Sequence, residues 1–144
     1  MHVHAILKEK PVEGVVTIAP GASLTEAVRL LAEKRIGAVV VSPDGKRVAG
    51  ILSERDIVRE LGRRGVGCMG DTVDAVMTTK IVTCTPADSV HEIMQKMTDG
   101  RFRHMPVMEG STMVGVISIG DVVKARLSEL AMEKDALEGM IKGF

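Results

Sequence analysis

At 144 residues and 45% hydrophobic content, the chain carries enough apolar material for one ordinary domain, or two small repeats, built around a buried core. Its 19 Lys and Arg balance 19 Asp and Glu, and aromatics make up only 1%, so neither a polyanion-attracting field nor a base-stacking platform is present; nucleic acid is excluded as a main partner. The longest apolar runs, Ala38 to Val41 and Met113 to Ile119, are too short to span a membrane, and the N-terminus lacks a signal-peptide core, so a cytoplasmic address with Cys68 and Cys84 reduced is expected.

The elements come in a fixed order. Val15 to Ile18 reads as a short strand that Pro20 ends, and Ser23-Leu24-Thr25-Glu26 reads as a capping box opening a helix. Leu24, Ala27, Val28 and Leu31 then give that helix one apolar stripe. Strands are predicted over Ala38 to Val41 and Val48 to Leu52, joined by a turn at Asp44-Gly45, and a further helix starts near Ser53. Gly65-Val66-Gly67-Cys68-Met69-Gly70 has the spacing of a dinucleotide fingerprint. It follows a helix and the basic pair Arg63-Arg64, whereas the fingerprint's mechanism needs a strand leading in, so the segment reads as a linker.

The same order then returns. A strand over Ile81 to Cys84 meets Pro86, Ser89-Val90-His91-Glu92 is a second capping box, and Val90, Ile93, Met94 and Met97 form a second stripe. Strands over Met105 to Met108 and Met113 to Ile117 flank a turn at Glu109-Gly110, and a last helix starts near Ser118. Its extension through Phe144 carries Leu127, Leu130, Leu137, Met140 and Ile141 among charges, an apolar face that suggests packing across a homodimer.

Sliding the sequence on itself by about 66 positions makes the duplication explicit. Thr17, Ile18, Pro20, Ser23 and Arg35 fall opposite Thr83, Cys84, Pro86, Ser89 and Arg101. After one residue is lost in a turn, Gly50-Ile51-Leu52-Ser53-Glu54-Arg55-Asp56 meets Gly115-Val116-Ile117-Ser118-Ile119-Gly120-Asp121. Lead-ins correspond as well: Val3-His4-Ala5-Ile6-Leu7 resembles Val73-Asp74-Ala75-Val76-Met77, with extra residues including Pro11 and Gly14 lengthening the first loop. The expected fold is α+β, two tandem β-α-β-β-α repeats at 1–69 and 70–144, the second with a C-terminal helical extension, each too small to be comfortable alone and packing its sheet on its twin.

The repeated phrase Gly-apolar-apolar-Ser-x-x-Asp, with the element order and unit length, resembles the CBS domain family in the pseudo-two-fold tandem arrangement called a Bateman module. The likeness is strongest over Val48 to Val58, Arg101 to Val107 and Val114 to Val123. It is closest to small stand-alone bacterial pairs, and it implies a non-catalytic sensor that binds AMP, ATP or NAD(H) between the repeats. On that resemblance Ser53 with Asp56, and Ser118 with Asp121, hold ribose at the phrase that also contains Ile119 and Gly120. Adenine would lie against Thr17 to Ala19 and Thr83 to Thr85, with Gly37, Ala38 and Pro106 completing the pockets. Phosphate would fall to Arg101, Arg103, His104 and Arg55. An effector protein acting in trans is implied, because the repeats fill the chain.

The residues themselves leave alternatives open. A carboxylate can accept from both hydroxyls of a cis-diol, and a helix start offers free N–H groups to phosphate, but Ser-x-x-Asp is also an ordinary helix cap. Arg101 and Arg103 also fit a solvated turn, and His104 a core histidine. Because the first copy has Arg35-Ile36-Gly37-Ala38 where the second has Arg101-Phe102-Arg103-His104, two unequal sites are expected. The ten methionines read as adaptable packing, and His2 with His4 as a frayed terminus rather than a metal site. No nucleophile with a base, metal cluster or acid–base pair stands at a recognisable spacing, so a ligand-free dimerisation module is the first rival reading and a nucleotide-processing enzyme the second.

Overall fold

The computed structural model describes residues 1–10 and 15–141; Pro11 and Gly14 of the first lead-in loop lie outside them. The first half runs α1 (Val3–Glu9), β1 (Thr17–Ile18), α2 (Leu24–Lys34), β2 (Ala38–Val41), β3 (Gly50–Ser53) and α3 (Glu54–Arg64). Two short 3-10 helices, Val66–Gly70 and Val73–Ala75, lead to α4 (Val90–Gly100), β4 (His104–Glu109), β5 (Thr112–Ser118) and α5 (Ile119–Ile141). The fold is mixed α+β with pseudo-two-fold repeats.

Local chemistry sets the helix starts. Ser23 accepts from the Glu26 N–H while the Glu26 carboxylate accepts from the Ser23 N–H, closing a reciprocal capping box on α2. On α4 the Ser89 hydroxyl accepts from the Glu92 N–H. Both stripes turn inward as their spacing requires: Leu24, Ala27 and Leu31 are buried in one core, Val90, Ile93 and Met97 in the other. Each of these helices ends on an arginine in the left-handed region, Arg35 at φ 54° and Arg101 at φ 55°.

In the first sheet β1 pairs parallel with β2, and β2 antiparallel with β3. In the second, β4 pairs antiparallel with β5, and the strand expected over Ile81 to Cys84 contracts to one parallel bridge between Cys84 and Val107. Cys84 donates to the Pro106 carbonyl at 3.0 Å and accepts from the Met108 N–H at 2.8 Å. Pro106 stands where the first sheet has Val40, and a residue without an N–H cannot carry the ladder back from Cys84 to Val82. Cys84 is in the core, as its apolar neighbours suggested, and burial together with the charge of Asp88 pushes its thiol up to about 11.

The two cores exchange their lead-ins. Val3 and Ile6 of α1 are buried among Val90, Ile93 and Ile117 of the second half, while Val73 is buried among Leu24, Leu52, Ile57 and Cys68 of the first. The backbone bonds are reciprocal: Val3 N–H donates to the Asp88 carbonyl at 2.9 Å and Val73 N–H to Ala22 at 2.8 Å. Likewise Val90 N–H donates to Met1 at 3.0 Å and Leu24 N–H to Asp71 at 2.9 Å. Neither half therefore has a complete core by itself, which ties the halves together more firmly than a linker would.

That exchange explains the glycine of the repeated phrase. A Cβ on Gly115 would stand 2.6 Å from Leu7 Cδ2, and one on Gly50 would stand 2.7 Å from Met77 Cγ and 3.0 Å from the Thr78 carbonyl oxygen. Leu7 and Met77 are matching lead-in residues 70 positions apart, so each glycine makes room for the segment crossing from elsewhere in the chain.

Candidate functional site

The crossing of the second lead-in over β3 builds a cavity of about 390 Å³ between the halves. Ile51 exchanges backbone hydrogen bonds with Thr78 at 3.0 and 2.8 Å, which fixes Thr78 and Lys80 beside the start of α3. From the first half the wall takes Gly37, Ser53, Glu54, Arg55, Asp56 and Arg59; from the second it takes Arg101, Phe102, Arg103 and His104. Ile81 and Val82 complete it. This volume lies within the roughly 300–1,000 Å³ span of small-ligand pockets.

Asp56 is buried at the N-terminus of α3 and divides its carboxylate between two tasks. Oδ2 accepts from the Ser53 N–H at 2.9 Å and the Ser53 hydroxyl at 3.0 Å, while the Asp56 N–H donates back to Ser53 Oγ at 3.2 Å. Oδ1 has looser partners, the Thr78 hydroxyl at 3.4 Å and Arg59 at 3.7 Å. The cap reading of Ser-x-x-Asp is thus realised, with one acceptor oxygen left weakly engaged. The cavity's charge is strongly biased: Arg55, Arg59, Lys80, Arg101 and Arg103 face only Glu54 and Asp56. Such a wall favours an anionic ligand.

His104 opens β4, with its ring over Gly37, whose Cβ would stand 3.6 Å from the imidazole Cε1. Burial, then the charge of Lys10, pulls its pKa below 6.5 against the opposing pull of Asp121 and Glu54. That shift disfavours the charged imidazolium, so the positive charge of this wall rests on the arginines and Lys80. Below about pH 6.5 the unfolded chain takes up a proton that the folded chain resists, so stability should fall as pH drops through that value toward the lower folded-state value. Denaturant titrations across this window should show the slope in the wild type, and His104→Gln should flatten it.

The matching frame of the second phrase is differently furnished. Ser118 N–H donates to Asp121 Oδ2 at 2.9 Å and Asp121 N–H to Ser118 Oγ at 3.2 Å, repeating the capping box. Here, however, Lys10 Nζ donates to Asp121 Oδ2 at 2.8 Å and to the Val116 carbonyl at 2.8 Å. Burial alone would raise the Asp121 carboxyl, but the bonds from Lys10 and Ser118 outweigh it and hold the group below its ordinary range.

Of the residues singled out from sequence, Ser53, Arg55, Asp56, Gly37, Arg101, Arg103 and His104 converge on the one cavity. Thr83 and Thr85 line a second, broader depression of about 750 Å³ with Arg47, Asp88 and Ser111, away from Asp56. Thr17, Ala38, Pro106, Ile119 and Gly120 hold strand and helix-start positions, Ala19 directly follows β1, and none of them lines either cavity. Lys10, Thr78, Lys80, Arg59 and Phe102 were not anticipated. The lead-in correspondence, extended a few residues, already pairs Lys10 with Lys80 and was the available signal.

A family model described as the CBS domain matches the chain twice, over residues 6–63 and 73–128. The chain belongs to the CBS domain family. This CBS pair is 41% identical to a CBS-domain-containing protein from Agrobacterium tumefaciens, whose crystal structure superposes with a TM-score of 0.83 over 88% of this chain and 99% of that one. It is 38% identical over 82% of its length to the mitochondrial CBS domain-containing protein CBSX3 of Arabidopsis thaliana, of which it spans only 59%. A CBS domain protein from Pyrobaculum aerophilum, solved in complex with AMP, is 27% identical with a TM-score of 0.77 over 92% of this chain and 99% of its own. Among the described residues, no helix is long and apolar enough to cross a membrane, and no group of three or more His, Cys, Asp or Glu is placed to hold a metal ion.

Proposed function

We propose that this CBS pair is a non-catalytic regulatory module that binds an adenine nucleotide in the cavity joining Ser53 and Asp56 to Arg101 and Arg103. The observation that carries the reading is that convergence: a diol acceptor from one half and a cationic cluster from the other share one pocket of ligand size. The AMP complex of the Pyrobaculum relative supports the adenosyl class. Asp56 Oδ1 takes the ribose hydroxyls, Arg101 and Arg103 take phosphate, and the Phe102 ring offers a flat apolar face.

The charge bias sharpens the ligand. Five cations against two carboxylates suit a ligand with several negative charges, so affinity should rise from adenosine through AMP to ATP, with NAD and NADH as competitors of lower charge. Calorimetric titration of nucleotide-free protein with this series tests it. Binding that ignores phosphate number contradicts the assignment, and absence of binding leaves the dimerisation module. Arg103→Ala should lower ATP affinity by about 2 kcal/mol, roughly thirtyfold, and leave adenosine nearly unchanged; equal losses for both would remove Arg103 from the phosphate role.

The bound state is read by an effector on another chain in a cytoplasmic setting, through a nucleotide-dependent bias between two arrangements of the halves. A homodimer is part of this reading. Along α5, Val123, Leu127, Leu130, Leu137 and Ile141 are exposed at steps of four, three, seven and four residues, the spacing of a helix seam with Lys134 at its one polar position, which a second copy can cover. Leu127→Glu with Leu137→Glu, both solvent-facing in the single chain, should halve the mass seen by light scattering while leaving the melting temperature of the folded unit nearly unchanged; an unaltered mass moves the dimer contact elsewhere.

A further inference from the structure

The two Ser-x-x-Asp frames are built alike but occupied differently. At Asp56 the lead-in residue Lys80 lines an open cavity, and among the described residues Oδ1 is met only by Thr78 at 3.4 Å and Arg59 at 3.7 Å. At Asp121 the matching lead-in residue, Lys10, is planted on the carboxylate and on the Val116 carbonyl, both at 2.8 Å, in a partly buried setting. The ammonium sits on Oδ2, the oxygen that also takes the Ser118 N–H, and so crowds the carboxylate from its capping side; a ligand that needs this carboxylate meets a lysine already held by two good acceptors. The first half offers little in exchange, since Gly37 stands where the second half has Arg103.

We propose that Lys10 is a built-in occupant that closes the Asp121 frame, so that the chain binds one nucleotide, at Asp56, and takes a second only when Lys10 is drawn away. This rests on the reading of the Asp56 cavity as a nucleotide site. It makes the N-terminal lead-in, rather than the Ser and Asp frame shared by both copies, the element that sets the number of ligands bound.

Calorimetric titration of the full, nucleotide-free chain with ATP separates the two ideas. The comparison takes wild type, Lys10→Met, Lys10→Met with Asp121→Ala, and Asp56→Ala. Methionine keeps the apolar stem of Lys10, and Lys10→Gln serves as a second replacement. Expected stoichiometries are one ATP per chain in the wild type, two in Lys10→Met and one again when Asp121 is also removed. Freed of Lys10, the Asp121 frame should bind at least about tenfold more tightly than before, while Asp56→Ala in the wild-type background should weaken the single site roughly thirtyfold. Two ATP per wild-type chain, one in both Lys10 variants, or weaker binding in those variants would overturn the inference and leave the Asp56 reading intact; the last result would make Lys10 a phosphate donor. No ATP bound by any variant would overturn both.

Discussion

Asp56→Ala is expected to weaken nucleotide binding by about 2 kcal/mol, roughly thirtyfold, because it removes a buried charged acceptor for ribose hydroxyls. The same change strips α3 of its cap, where Asp56 Oδ2 accepts from the Ser53 backbone and hydroxyl, so a stability loss of about 1 kcal/mol should accompany it. The two effects can be parted. Asp56→Asn keeps a carbonyl oxygen for the Ser53 N–H but presents an amide to the cavity, so it should retain most of the melting temperature and still lose most of the affinity. If Asn binds nucleotide as well as Asp does, the carboxylate serves the helix alone and the diol role is lost.

The largest expected effect on stability lies at the two glycines under the crossing lead-ins. Gly50→Val should destabilise the fold by about 3 kcal/mol, the upper part of the range for overpacking, because its Cβ would stand 2.7 Å from Met77 Cγ and 3.0 Å from a backbone carbonyl that is itself fixed by the Ile51 pairing. Gly115→Ala should cost less, since it meets the far end of the flexible Leu7 side chain at 2.6 Å. Chemical denaturation reads both. A companion Leu7→Ala should recover part of the loss at Gly115, which an effect confined to β5 would not allow. Because the Gly50 clash pushes on Thr78, it should also lower ligand affinity; a Gly50→Val protein within about 0.5 kcal/mol of wild type would refute the packing described between lead-in and strand.

What could be read from the sequence was local. The capping serines, the apolar stripes of α2 and α4, β2 over Ala38–Val41 and the turns at Gly45 and Gly110 all follow from residues a few positions apart. Repetition raised those local signals to an architecture, and the frame around Ser53 and Asp56 came with it. Partnership at a distance was not legible. Val3 and Val73 match in the alignment, but nothing in either residue says that each is buried in the opposite half. The contracted strand at Cys84 depends on a proline 22 residues later, and the left-handed turns at Arg35 and Arg101 fall on a residue type with no preference for that conformation. In the site, the sequence ranked the copies by their arginines alone. The asymmetry in the structure has a second source, Lys10 on Asp121, which only the three-dimensional crossing of the first lead-in reveals.

The central claim is that one ligand bridges the two halves, and it is tested most directly by mapping amide chemical shifts of the wild-type protein during titration with ATP. The expected result is saturable movement in two separate stretches, Ser53 to Arg59 and Arg101 to His104, with one common affinity. Shifts confined to one half, or centred on the depression around Thr83 and Thr85, would contradict it.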